Sequence, residues 1–281
     1  MKSDLLALSA IALWASLAAL GVTLSHVPPF LLTGSALLIG SLIAVPLSGF
    51  RMAAWKVPLP TLLLGVYGLF GFHLLFFVAL RNAPAVEANL INYLWPLGMV
   101  VLAPLFLPET KLTRSHLGAA LLGFAGAAVA ILGRHHADGL SAEFHSGYVF
   151  AFGSALIWAT YSLGSRRVPH FDTAAVGSFA ALSGVLSLGC HFLFEPAVDV
   201  TLSDFWRIAV LGLGPLGGAF FLWDAAIKQG DPRRIGVFAF LTPLLSTIVV
   251  VISTGQSFSI NIIVSAAMII AAAEWGRRAT R

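Results

Sequence analysis

A chain of 281 residues that is 58% hydrophobic and only 10% charged is no ordinary soluble domain, since such domains carry roughly 25% charged residues. Its formal net charge of +4 is small and scattered, which gives no basis for a nucleic-acid partner. Cys190 is the sole cysteine, so no intrachain disulfide is available.

Apolar runs close to the roughly twenty residues that span a bilayer as a helix recur along the whole chain. The expectation is an all-α, polytopic membrane protein. Lys2 followed by Leu5 to Leu24 resembles a signal peptide, but the run is too long for an h-region and has no convincing cleavage site. It is therefore expected to be the first helix. With Pro, Gly and charged residues as boundaries, ten spans are predicted: 4–24, 29–48, 60–81, 84–107, 115–133, 147–166, 172–194, 204–228, 232–252 and 259–276. The longest loop is expected at about Arg134 to Ser146.

Charge placement orients these spans. With the N-terminus in the cytoplasm, the inner side holds thirteen of the sixteen Lys and Arg, and the outer side only Arg81, Arg134 and Arg207. The excess of cations on one side predicts that both termini are cytoplasmic.

The chain also repeats itself. ALRNAPAVEANLINYLWP (79–96) lies over AIKQGDPRRIGVFAFLTP (226–243) without a gap, 147 residues apart, and the same shift puts Gly65 on Gly212 and Gly71 on Gly218. Upstream, ALWA (12–15) matches LIWA (156–159), and PPF (28–30) matches PHF (169–171). Five spans per repeat is an odd number, so the repeats are expected to cross the membrane in opposite senses, as in many secondary transporters. The expected units are 1–133, an extracytoplasmic link at 134–146, and an inverted 147–281. Residues equivalent in the two units, and central in their spans, should then meet near the midplane.

Three such pairs stand out: Trp14 with Trp158, Pro96 with Pro243, and the glycine clusters at 68–71 and 214–218. Proline inside a helix removes one hydrogen bond and clashes with the preceding turn, so Pro96 and Pro243 are either packing kinks or hinges. Asn89, Asn92, Tyr93 and Pro96 share one helical face, suited to bonding a neighbouring helix or to lining a cavity. Trp14, Trp95 and Trp158 sit too deep for the headgroup belt. With Phe70, Phe76, Phe77, Tyr161, Phe220, Trp223, Phe238 and Phe240 at similar depth, they either fill the core or wall an aromatic pocket. His73 is an ionisable group at membrane depth and so a binding or proton-coupling candidate. Glu87 and Asp224 are further coupling candidates, and Asp224 is placed either to snorkel or to pair with Lys228.

The GLGPLGG of 212–218 satisfies a dinucleotide pattern, but it lies inside an apolar span instead of between a strand and a helix. Gly214 and Gly218 are expected to serve close helix packing. No metal-ligand set, cofactor motif or catalytic constellation is found, so no enzyme, metal or cofactor is expected; His135, His136 and His145 read as a solvated loop. No Lys or Arg falls near the midplane, which argues against anionic cargo. Span 1 carries no carboxylate in AIALWASLAALG, which argues against lipophilic cations. A polar, uncharged, aromatic-rich site suits neutral, zwitterionic or aromatic solutes.

Two five-span repeats, each with a Pro in its fourth span, resemble the EamA group of the drug/metabolite transporter superfamily. Within it, NYLWP (92–96), IWATYS (157–162) and FLTPLLS (240–246) are similar to the bacterial YddG-type exporters of aromatic amino acids. The resemblance implies a monomer in the bacterial inner membrane, surrounded by lipid. It implies efflux of amino acids by alternating access through a central cavity, with Tyr93, Trp95 and Trp158 on its walls. Export of other metabolites or drugs is the nearest alternative, ahead of a channel or a non-transporting membrane subunit.

Overall fold

A computed structural model describes residues 2–133, 143–254 and 260–279, and among these residues every regular element is helical. The first half comprises α1 (Lys2–Thr23), α2 (Pro29–Ser41), α3 (Ala44–Leu47), α4 (Leu59–Val66), α5 (Phe72–Asn82), α6 (Ala85–Asn92), α7 (Trp95–Phe106) and α8 (Arg114–Leu132). The second comprises α9 (Gly147–Gly164), α10 (Val176–Phe194), α11 (Leu202–Leu213), α12 (Gly218–Gln229), α13 (Pro232–Ala239), α14 (Leu241–Thr254) and α15 (Ile260–Ala279). Eight helical stretches among the described residues are long and apolar enough to cross a membrane. Most of the expected 134–146 link, His135 and His136 included, lies outside the described residues, while His145 rests its ring on Tyr148.

The expected spans differ most from the observed helices at their middles. Where 60–81 was one helix, α4 and α5 are separated by a π-helical turn, Tyr67–Gly71. At the equivalent place, 147 residues on, α11 and α12 are separated by Gly214 to Gly217, where Leu216 N–H reaches back to Leu211 O and Ala219 N–H to Gly214 O. Span 84–107 breaks at Tyr93 and Leu94, and span 232–252 at the equivalent Phe240. The breaks precede the prolines. Pro96 is in the first turn of α7, where its missing N–H has no intrahelical partner to lose. Pro243 is likewise in the first turn of α14, one residue further in. Each proline begins a helix instead of bending one.

Start signals explain smaller differences. Span 204–228 begins two residues early because Thr201 accepts from the amide of Asp204, whose carboxylate accepts from Thr201 N–H in return. Thr113 and His116 make the corresponding box at the head of α8.

Packing follows a reciprocal plan. α2 lies along α10, and α8 along α15. α1 lies against α12 and α14, as α9 lies against α5 and α7. Small residues allow the close approaches. A Cβ on Gly40 would stand 2.6 Å from the carbonyl of Gly212 and 2.7 Å from the Cα of Gly217, so backbone meets backbone there. That contact falls at Gly212 and Gly217, whereas a Cβ on Gly214 would meet mainly the helix's own Val210 O, at 2.9 Å. Gly65 and Gly68 instead seat the rings of Phe179 and Tyr161.

Candidate functional site

The broken spans surround one large cavity, of about 510 Å³. Its floor is a cluster of four tryptophans, Trp14, Trp95, Trp158 and Trp223, with ring centroids 5.1 to 6.5 Å apart in all six pairings. Most of these pairs meet edge-on or tilted, as the ring quadrupole favours. Trp223 is the underside: it is 2% exposed, donates from Nε1 to Ser162 Oγ at 3.0 Å and does not reach the cavity. The other three line it, together with Phe72, Phe76, Phe77 and Phe220. The cavity reaches past the end of α1, where its lining residues Ser25 and Pro29 are exposed.

The polar groups come from four helices. Asn89, Asn92 and Tyr93 project from α6 and its C-terminal cap. Asn92 does both things its position suggested, because its Oδ1 accepts from Ser154 Oγ of α9 at 2.8 Å while the residue also forms cavity wall. His73 donates from Nδ1 to the carbonyl of Leu69 at 2.6 Å, and its Nε2 is left to donate or accept according to the state of the ring. Its ring lies between those of Phe72, Phe77 and Phe220. Thr33 and Thr242 complete the polar lining.

Ten of the residues picked out by depth and pattern therefore share this cavity: Trp14, His73, Phe76, Phe77, Asn89, Asn92, Tyr93, Trp95, Trp158 and Phe220. Phe70, Tyr161, Trp223, Phe238 and Phe240 stand outside its lining. Tyr161 packs under Gly68 and beside Trp158, and Phe240 is fully buried against Gly123 and Phe124. Pro96 is buried in α7, away from the lining. Of the coupling candidates only His73 borders the cavity. Glu87 accepts from the hydroxyl of Tyr148, and Asp224 pairs with Lys228 at 2.7 Å as its spacing suggested. Thr242 was missed. It occupies the position equivalent to Trp95, one residue before the repeated proline, and that equivalence was the signal available. Its hydroxyl is buried without a hydrogen-bond partner. Among the described residues no Asp, Glu, Lys or Arg lines the cavity, and no cluster of three metal-ligating side chains occurs.

Comparison with known proteins decides the class. A family model described as the EamA-like transporter family matches residues 1–132 and 145–274. The chain belongs to the EamA-like transporter family. It is thus a multi-pass membrane transporter and not an enzyme. An Ancylobacter novellus protein named aromatic amino acid exporter YddG is 38% identical over 275 residues, covering 97% of this chain and 96% of the relative. A Salmonella typhimurium protein named probable amino-acid metabolite efflux pump is 24% identical over 275 residues, covering 92% of this EamA-like chain and 89% of the relative. A solved crystal structure at 36% identity superposes with a TM-score of 0.94, covering 100% of this chain and 97% of that one.

Proposed function

We propose that this transporter exports amino acids, aromatic ones prominent among them, by alternating access through the tryptophan-floored cavity. The observation that carries the reading is the lining: three tryptophans and four phenylalanines beside Asn, Thr, Tyr and a neutral-capable His, with no fixed charge. Such a surface takes up a side-chain ring by stacking and edge contacts, and holds a zwitterionic end through hydrogen bonds that need no net charge. The volume of about 510 Å³ is within the usual size of small-molecule sites. The direction, and the emphasis on aromatic amino acids, follow the name of the Ancylobacter relative.

The mechanism we infer uses ten crossing segments, α1 and α9 being added to the eight stretches, with both termini in the cytoplasm. Two inverted units, 1–133 and 147–281, are supported by the two segments that the family model matches and by the reciprocal packing of α1 with α12 and α14, and of α9 with α5 and α7. The cavity then opens outward, and the breaks in α4–α7 and α11–α14 supply the bending points.

Counterflow in proteoliposomes tests this. Liposomes loaded with unlabelled Phe should accumulate labelled Phe, Tyr and Trp. Absence of exchange with every amino acid tried would sink the reading. The name of the Salmonella relative favours one broader version, efflux of amino-acid metabolites, and loading decarboxylated or deaminated analogues in the same assay separates the two.

A further inference from the structure

Two cation–ring contacts lie at opposite ends of α1 and are images of each other in the repeat. Arg81, in the last turn of α5, has its guanidinium carbon 6.0 Å from the ring centre of Phe30, at the head of α2. Lys228, in the last turn of α12, has its ammonium 3.4 Å from the ring centre of Phe171, ahead of α10. Arg81 and Lys228 are equivalent under the 147-residue shift, and VPPF (27–30) aligns on VPHF (168–171). Each contact joins a helix packed on the opposite half, α5 on α9 or α12 on α1, to the α2 and α10 pair.

The two are not in the same condition. Lys228 is 15% exposed in its side chain, bonds Asp224 at 2.7 Å and donates to the carbonyl of Phe171 at 2.9 Å. Arg81 is 48% exposed and stands off its ring, held by Glu195 at 3.1 Å. Glu195 also accepts from the amides of Phe30 and Leu31, so it ties this cation to the backbone that carries the ring, at the longer of the two cation–ring distances. The residues next to the cations differ in the same sense. Leu80 borders the cavity, whereas its equivalent Ile227 is 1% exposed.

We propose that these contacts are reciprocal latches: Lys228 on Phe171 shuts the end where Asp4 meets Arg234, and Arg81 settles onto Phe30 to shut the opposite end when the first opens. The inference rests on the alternating-access reading above. A cation gains more from a ring as water is excluded, so each latch favours the state in which its own end is closed, and loss of one shifts the population toward the other.

Single reporter cysteines, Leu80→Cys or Ile227→Cys in a Cys190→Ser background, test it in proteoliposomes with a membrane-impermeant maleimide. Lys228→Met, and Phe171→Leu, which keeps the apolar fill without the ring, should each raise labelling at Ile227→Cys by about three- to fivefold, the shift one cation–π contact allows, and lower it at Leu80→Cys. Arg81→Met should lower labelling at Ile227→Cys, and Lys228→Arg should restore wild-type rates. Labelling that changes at neither reporter, or that rises at both together, overturns the latches. The assay reads which end is open whatever the solute. Reciprocal labelling without amino-acid exchange would therefore refute the substrate and keep the latches, while exchange without reciprocity would do the reverse.

Discussion

Thr242 and Trp158 show how single side chains divide the work of the cavity. The hydroxyl of Thr242 is buried without a partner at the cavity wall, and an unpaired buried hydroxyl costs about 1–3 kcal/mol unless something bonds it. If the amino acid's polar end bonds it, Thr242→Val should weaken apparent affinity by about three- to tenfold, the worth of a typical hydrogen bond. Melting temperature should stay level or rise. Half-saturation measured by counterflow, beside a thermal melt, checks both; unchanged affinity with a raised melting temperature would make the hydroxyl mere packing. Trp158 is 3% exposed, part of floor and core at once. Trp158→Phe keeps a ring there and should raise half-saturation for Trp and Phe only modestly. Trp158→Ala removes the edge contacts with Trp14 and Trp95 and should cost about tenfold or more. Equal half-saturation in both variants would take the floor out of recognition. The sequence made the depth of these residues legible, because polar and aromatic groups are conspicuous in an apolar span. It did not make their aim legible. Phe240 and Trp223 share the depth of Phe220, and only tertiary packing turned them toward Gly123 and Ser162 instead of the cavity.

At the scale of elements, the repeated prolines deserve a different reading from the one a kink suggests. Each stands in the first turn of a new helix, after a break at Tyr93–Leu94 or at Phe240. Alanine there would supply an N–H and favour fusion of α6 with α7, or of α13 with α14. Pro96→Ala and Pro243→Ala should thus leave the melting temperature level or higher while slowing exchange severalfold. Pro104, inside α7 and without a proline equivalent in the other half, is the control: Pro104→Ala should raise stability with exchange unaffected. Exchange at the wild-type rate in both repeated-proline variants would show that the breaks are not working joints. Spacing and repetition foretold where the elements lie, since a 147-residue shift aligns the prolines and the glycine clusters. They foretold less about backbone form, because a π turn at Tyr67–Gly71 and an open turn at Gly214–Gly217 arise from how the helices crowd one another. The contact of Gly40 with Gly212 and Gly217 is one such constraint. Gly40→Ala must push two backbones apart and should cost about 1–3 kcal/mol of stability, visible as a lower melting temperature.

Across the whole molecule, ion pairs and hydrogen bonds lace the end that holds the start of α1, while the cavity lies toward the other end, where Arg81 also pairs with Glu195. Asp4 pairs with Arg234 at 2.7 Å, Arg166 donates to the carbonyl of Gly230 at 2.9 Å, and Arg233 joins Asp231 to the carbonyl of Lys111. Asp231 ties this lacing to protonation. Burial by itself would raise its pKa, but hydrogen bonds and charge from Arg233, with backbone amides at the head of α13, outweigh burial and hold the carboxyl below its ordinary value. A carboxyl depressed on folding contributes stability that is fully present above its unfolded pKa, near 3.9, and is lost as pH falls through the folded value. The contribution of Asp231 to the melting temperature in detergent should therefore be constant between pH 8 and about pH 5 and disappear only below about pH 4. Asp231→Asn leaves the cap on the amide of Arg233 but removes the charge that orients its guanidinium. It should melt lower than wild type at neutral pH, and the two curves should converge in acid. Curves that stay parallel down to pH 2 would place the acid sensitivity of this end elsewhere.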